Sequence, residues 1–331
     1  MALISVSNLK KRFNLEAGFF ARFGRYVYAV NDLSFHIDKN ESYGLVGESG
    51  CGKTTSARLL VRMYEADEGK IIYDKTGSGP IDVRSLKRGE LKQYREKVKY
   101  VFQDPARSLN PRMTIYEILN SGRRWSSKAI GEKQSREEAA KVLEEAGLNA
   151  ADLQRRPSEF SGGQRQRISI ARALIMQPDL LICDEVVSAL DVSIQGQILN
   201  LLLDLRSGRD LSFLFIAHDL KVACYFCDRI GVMYRGELME EAPADTLWKS
   251  GVHPYTELLF SSVSASESGK PPIENNPQLR PLPALPANSF DCCAFAARCP
   301  YAEEQCFREK PLLKPVDSGG DKDHFVRCFR S

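Results

Sequence analysis

Gly47-Glu48-Ser49-Gly50-Cys51-Gly52-Lys53-Thr54 is the stretch whose reading decides the fold of this chain. It fits G-x4-G-K-[ST] in the context the pattern requires: the apolar strand Tyr43–Val46 runs into it, and a helix read from Lys53 to Met63 leaves it. The glycines let successive backbone N–H groups turn inward around phosphate oxygens, and Glu48, Ser49 and Cys51 complete the cradle. The helix N-terminus adds positive potential, Lys53 neutralises the outer phosphates, and the Thr54 hydroxyl can ligate Mg²⁺, with Thr55 next on the helix.

Outward from this loop, Ile4–Leu9, Leu33–Ile37 and Ile71–Tyr73 read as strands. Downstream, Leu180-Leu181-Ile182-Cys183 and Phe213-Leu214-Phe215-Ile216-Ala217 are continuously apolar and separated by a helical stretch, as central strands of a parallel sheet covered on both faces are. They end in Asp184-Glu185 and His218-Asp219, and ligands in such folds bind at the carboxyl ends of strands. Asp184 is the expected second Mg²⁺ contact, and Glu185 can polarise an attacking water. From Ile115 to Gln177 the pattern is helical, with Ala139, Val142, Leu143 and Ala146 on one face, predicting an inserted helical subdomain over about 106–177.

The 331 residues are 43% hydrophobic, enough for a large core. The 46 basic and 43 acidic side chains are intermixed, which argues against nucleic acid as the main partner. No apolar run approaches the roughly 20 residues that cross a bilayer, and Met1–Val6 goes straight into strand-like alternation, so neither secretion nor a membrane span is expected. After Val263, a Ser/Gly-rich stretch and Pro271, Pro272, Pro277, Pro281, Pro283 and Pro286 predict a linker over 264–290, separating a unit over 1–263 from a cysteine-rich extension over 291–331. Cys224-x2-Cys227 falls in a stretch read as a helix, Leu220–Cys227, and is assigned to packing.

Phe160-Ser161-Gly162-Gly163-Gln164-Arg165-Gln166-Arg167, just upstream of the Asp184 strand, resembles the signature motif of the ATP-binding cassette family. The resemblance covers residues 1 to about 260 and includes Tyr100–Pro105 as Q-loop, Ser188–Asp191 as D-loop and His218 as switch histidine. It implies an α/β fold: a P-loop NTPase core of mostly parallel sheet with an inserted α-helical subdomain, an antiparallel β region and a small cysteine-rich C-terminal extension. It also implies two cassettes facing head to tail, each ATP held between the phosphate loop of one and the signature residues of the other. Ser161, Gly162, Gly163 and Gln164 would then serve the partner's ATP, an arrangement that suits the free N–H groups of a helix start. By position, Gln103 would contact Mg²⁺ or water, His218 would hydrogen-bond the γ-phosphate and orient Glu185, Asp191 would stand in the D-loop, and Phe13 would stack on adenine. Tyr26 and Tyr28, read as lying in the insertion that follows, are weaker candidates for that stacking. One departure is Val186-Val187, where the family usually carries proline and threonine.

Cys293-x5-Cys299-x6-Cys306-x21-Cys328 supplies four thiolates in a short, charged segment that lacks a core of its own, enough for one tetrahedral or cubane site. The spacing lacks the close pairs of structural zinc, and Cys292 is an extra thiol. Cys293-Ala294-Phe295-Ala296-Ala297-Arg298-Cys299-Pro300, with His253-Pro254-Tyr255-Thr256, resembles the C-terminal extension of dipeptide and oligopeptide importer ATPases. That resemblance implies a [4Fe–4S] cluster on Cys293, Cys299, Cys306 and Cys328; zinc, or an unliganded docking extension, stays open.

The expected activity is ATP hydrolysis with Mg²⁺, energising peptide uptake from the cytoplasmic face of the inner membrane. The expected partners are a second, non-identical ATPase, two permease subunits and, indirectly, an extracytoplasmic binding protein. Nickel or oligosaccharide import, or a non-transport cassette acting on nucleic acid or the ribosome, are the alternatives.

Overall fold

The computed structural model describes residues 1–14, 26–75, 79–123, 131–188, 190–268, 291–316 and 323–330. The first part of the chain forms β1 (Ala2–Asn14), β2 (Tyr26–Asp38), β3 (Ser42–Val46), α1 (Lys53–Leu60), β4 (Glu68–Lys75), β5 (Gly79–Asp82), α2 (Arg88–Lys97) and β6 (Val98–Val101). The inserted part holds α3 (Pro105–Ser108), α4 (Ile115–Ser121), α5 (Glu132–Glu145) and α6 (Gly162–Leu174). The chain then returns through β7 (Leu180–Asp184), α7 (Val192–Gly208), β8 (Ser212–Ala217), α8 (Leu220–Phe226), β9 (Arg229–Tyr234), β10 (Glu237–Pro243), α9 (Ala244–Ser250) and α10 (Pro254–Ser268). The extension adds α11 (Glu304–Arg308), β11 (Lys314–Pro315) and β12 (Phe325–Val326).

β1 forms an antiparallel sheet in the order β2-β1-β4-β5, and a larger sheet runs β11-β12-β10-β9-β3-β8-β7-β6. From β9 to β6 its neighbours are parallel, whereas β10 and β12 join antiparallel. Every residue of β3, β7 and β8 is buried, which is why these strands read as unbroken apolar runs. One apolar cluster packs the antiparallel sheet and α1 against the larger sheet; the other gathers the helical insertion, α7 and α8. In α5, Ala139, Val142 and Leu143 are buried along one face as the periodicity predicts, and Ala146 is buried at its C-cap. Val186 and Val187 are buried in the same cluster, so the departure from proline and threonine fills the core.

Several expectations are corrected. α1 ends at Leu60, three residues before Met63, because Arg62 takes a left-handed φ of 53°. Tyr26 and Tyr28 lie at the start of β2, paired with Asn14 and Arg12, and are not part of an insertion. Residues 264–268, read as the flexible start of the linker, continue α10 to Ser268, where Ala265 and Glu267 favour helix. The prolines from Pro271 to Pro286 lie outside the described residues. The extension shares a core with the cassette: β12 pairs with β10, Glu240 opposite Val326, and Phe295 and Ala296 are 1% and 0% exposed within the larger cluster. A segment too short to enclose a core has borrowed one.

Candidate functional site

The octapeptide bridges β3 and α1 as a loop whose glycines have separate reasons. A Cβ on Gly47 (φ 155°) would lie 2.1 Å from the Met233 carbonyl oxygen, and one on Gly52 (φ 112°) would lie 2.0 Å from that of Ala29. The loop is thus pressed against β9 and β2, and Gly236 N–H donates to the Cys51 carbonyl at 2.8 Å. Lys53, 4% exposed, donates from Nζ to the Gly47 and Glu48 carbonyls at 2.7 and 2.9 Å, which spans the loop and satisfies its buried ammonium. No side chain caps the N-terminus of α1, so its first N–H groups face the loop. Thr55 follows Thr54 on α1.

Thr54 Oγ1 donates to Asp184 Oδ1 at 3.0 Å across 130 residues of sequence, so the paired Mg²⁺ candidates meet. Asp184 is 4% exposed at the end of β7, and the Tyr100 hydroxyl donates to its other oxygen. Beside it, Gln103 Nε2 donates to Glu185 Oε2 at 2.8 Å. Glu185 is left-handed at φ 49°, and its N–H donates to the Ile216 carbonyl at 3.0 Å, fastening it to the end of β8. Strain of this kind costs about 1–3 kcal/mol and persists only where surrounding structure imposes it. His218 is exposed one residue past β8. Thr54, Gln103, Asp184, Glu185 and His218 thus come from three neighbouring strand ends and one loop. The arrangement can bind phosphate, hold a divalent cation between a hydroxyl and a carboxylate, and aim a second carboxylate at water.

Ser161, Gly162 and Gln164 are exposed at the start of α6. Ser161 N–H donates to Gln164 Oε1 at 2.9 Å and Gln164 N–H to Ser161 Oγ at 3.3 Å, a capping box. A Cβ on Gly163 would meet Ile194 of α7 at 2.6 Å, which accounts for that glycine by packing. Among the described residues this motif shares no hydrogen bond with the phosphate loop. Asp191 is exposed as the N-cap of α7. Phe13 is half-buried near the end of β1, edge-on to Tyr64 at 5.3 Å between ring centroids. Cys227 is buried in the core and Cys224 packs against it, as the packing assignment expects.

In the extension, Cys293 N–H donates to the Cys306 carbonyl at 2.9 Å. Burial pushes the Cys293 thiol up to about 12, and Cys306, Cys299 and Cys328 add to the rise. Burial likewise raises Cys299 to about 11. A zinc ion needs its sulfur ligands about 2.3 Å from one centre, and no three His, Cys, Asp or Glu side chains among the described residues are gathered for a single ion.

Sequence reasoning missed the joint between extension and loop. Tyr255, 0% exposed, accepts the Glu48 N–H at 2.9 Å, and Phe295 packs on Tyr234, Tyr255 and His253. Both tyrosine and phenylalanine lie in stretches singled out by resemblance, but no local signal ties them to a loop 207 residues upstream. His253 is 1% exposed; its N–H donates to Glu240 and its Nδ1 accepts the Tyr255 N–H at 3.0 Å. Burial lowers its imidazole from 6.5 to about 4, against opposing pulls from Glu240 and Arg327. A depressed folded value means the contribution is whole above pH 6.5 and is lost as pH falls toward 4. Between pH 7.5 and 5 this joint loses about 2 kcal/mol, and a His253→Gln variant loses correspondingly less in denaturant titrations at the two pH values.

Among the described residues no helix is long and apolar enough to cross a membrane. The chain matches the ABC transporter family over residues 30–188 and the C-terminal region of oligopeptide/dipeptide transporters over residues 239–306. It is 42% identical over 330 residues to a putative peptide import ATP-binding protein of Brucella ovis, covering 99% of this chain and 98% of that one. It is 46% identical over 261 residues to the oligopeptide transport ATP-binding protein OppF of Bacillus subtilis, covering 79% and 82%. Among solved structures it resembles a dimeric post-hydrolysis state of the ATP-binding cassette MJ0796 bound to ADP and Pi, with TM-score 0.63, 28% identity and 73% and 98% coverage.

Proposed function

Since this chain belongs to the ABC transporter ATP-binding family, and carries the C-terminal region of its oligopeptide/dipeptide branch, we propose that it is the ATP-hydrolysing subunit of a peptide importer. The observation that carries the reading is the convergence of Thr54 with Asp184 and of Gln103 with Glu185 beside the phosphate loop. The loop from Gly47 to Thr54, with Thr55, binds the phosphates of this chain's own ATP. Thr54, Asp184 and Gln103 would hold Mg²⁺, which when bound would neutralise charge on the outer phosphates. Glu185 polarises the attacking water, His218 orients it at the γ-phosphate, and Phe13 supports adenine. Ser161–Gln164 and Asp191 face a second cassette, consistent with their exposure and with a helix start whose N–H groups suit an anion.

The working unit is two such ATPases, the second non-identical, on the cytoplasmic face of the inner membrane with two permease subunits and an extracytoplasmic peptide-binding protein. Closure of the cassettes on ATP moves the permeases through the groove at Gln103. A strain lacking this chain should lose uptake of labelled oligopeptides and regain it on complementation. Retained peptide uptake with lost nickel or oligosaccharide uptake would overturn the peptide reading.

Tyr100 orients Asp184 toward the cation by binding its other oxygen. A Tyr100→Phe variant is expected to need about tenfold more Mg²⁺ for half-maximal hydrolysis, measured by Mg²⁺ titration at saturating ATP.

A second element of the proposal is a [4Fe–4S] cluster on Cys293, Cys299, Cys306 and Cys328, supported by four thiols falling in one short extension. The cluster would supply a covalent brace to the extension. Iron and sulfide analysis of chain purified anaerobically tests it: a colourless protein without either element ends the idea, and stoichiometric zinc would replace it.

A further inference from the structure

We propose that Arg298 is a positioning residue for the phosphate loop, acting on it from the C-terminal extension through Glu48. The proposal rests on reading Gly47–Thr54 as this chain's own ATP site. Arg298 donates two parallel bonds to the Glu48 carboxylate, Nη1 to Oε2 and Nη2 to Oε1, both 2.8 Å, across 250 residues of sequence. Its guanidinium lies over Tyr234 at 5.6 Å and over Phe295 at 5.8 Å, so the aromatic joint fixes the direction of the fork.

Glu48 is thereby held at three points. Arg298 takes its carboxylate, Tyr255 accepts its N–H, and its carbonyl accepts Lys53 Nζ at 2.9 Å. Two of those partners lie in α10 and the extension, and the third is the lysine expected to meet the phosphates. Displacing Glu48 therefore displaces an anchor of Lys53.

The side chains of Arg298 and Glu48 are 42% and 41% exposed, and an exposed ion pair ordinarily adds little to stability. The effect belongs on ligand binding, because a bidentate fork fixes orientation more than it contributes energy. The extension's docked state then becomes a condition for tight ATP binding: whatever loosens Phe295 and Arg298 slackens the loop.

The test is a double-variant cycle on the full chain, read by binding of a fluorescent ATP analogue and by KM and kcat for ATP. Arg298→Ala is expected to raise Kd and KM roughly tenfold with kcat within about twofold, since the groups around Glu185 are untouched. Arg298→Lys, a point charge without the fork, recovers part of that loss. Arg298→Ala could act merely by undocking the extension, so Glu48→Gln, made on the loop side, must give a loss of similar size. The double variant must be no weaker than the weaker single one. Wild-type affinity in Arg298→Ala overturns the proposal, as do losses that multiply in the double variant or a fall in kcat with KM unchanged. Lys53→Ala separates the two readings: if it binds ATP normally, the site assignment itself falls, whereas if it abolishes binding while Arg298→Ala binds normally, only the clamp falls.

Discussion

A Glu185→Gln variant is expected to bind ATP as the unmodified chain does and to hydrolyse it on the order of a thousandfold more slowly, the scale of a lost general base. The substitution keeps the volume and the amide-compatible contact with Gln103 Nε2, so the local fold survives, but an amide cannot accept a proton from water at neutral pH. Glu185 is held in a left-handed conformation by its bond to the Ile216 carbonyl, so no neighbouring carboxylate can swing into its place without breaking that strand-end contact. Asp184 is the nearest in sequence, and both its oxygens are engaged by Thr54 and Tyr100. The measurement is single-turnover hydrolysis beside nucleotide binding; an unchanged rate removes Glu185 from the chemistry, and lost binding would make its role structural.

The second large effect is steric. Gly52→Ala is expected to weaken ATP binding by at least about a hundredfold, the scale of a reacting group misplaced by roughly 1 Å. The added carbon would sit 2.0 Å from the Ala29 carbonyl oxygen and 2.8 Å from the end of Met233. The methionine can give way, but the carbonyl belongs to β2, so relief must come from the loop and with it from Lys53, the next residue. A left-handed φ of 112° makes the alanine strained even before that contact. Calorimetric binding compared with thermal unfolding distinguishes the outcomes: the melting temperature is expected to fall by only a few degrees. Undiminished affinity would show that the loop takes up the carbon elsewhere.

These two expectations differ in how much of them was legible beforehand. Glu185 stands out in the sequence because an acidic pair ends a wholly apolar run, and a strand buried on both faces must run that way. The resemblance gave it His218 as an orienting partner, whereas its bonds to Gln103 and Ile216 are matters of strand order, which apolar runs do not encode. Gly52 was legible as a motif glycine, while the carbonyl that makes it necessary lies in β2. The helical insertion followed from periodicity, the parallel strands from unbroken apolar runs, and the packing of Cys224 and Cys227 from the helix they were read in. The start of the linker was placed too early because its serines outweighed the helix-favouring Ala265 and Glu267, and the place of Tyr26 and Tyr28 was missed because strand pairing depends on the neighbouring strand.

By itself the sequence determined the chemistry on offer: a phosphate loop, two carboxylates at a strand end, a second glycine-bearing helix start, and four thiols in a short tail. Residue types at fixed local spacing suffice for that, since each motif is built within one turn or loop. The tertiary structure alone decided which of these groups meet. Thr54 reaches Asp184 across 130 residues and Arg298 reaches Glu48 across 250. Contacts of that span follow from the β3-β8-β7 strand order and from β12 adding to β10, where burial of shared apolar surface, and no local propensity, sets the register.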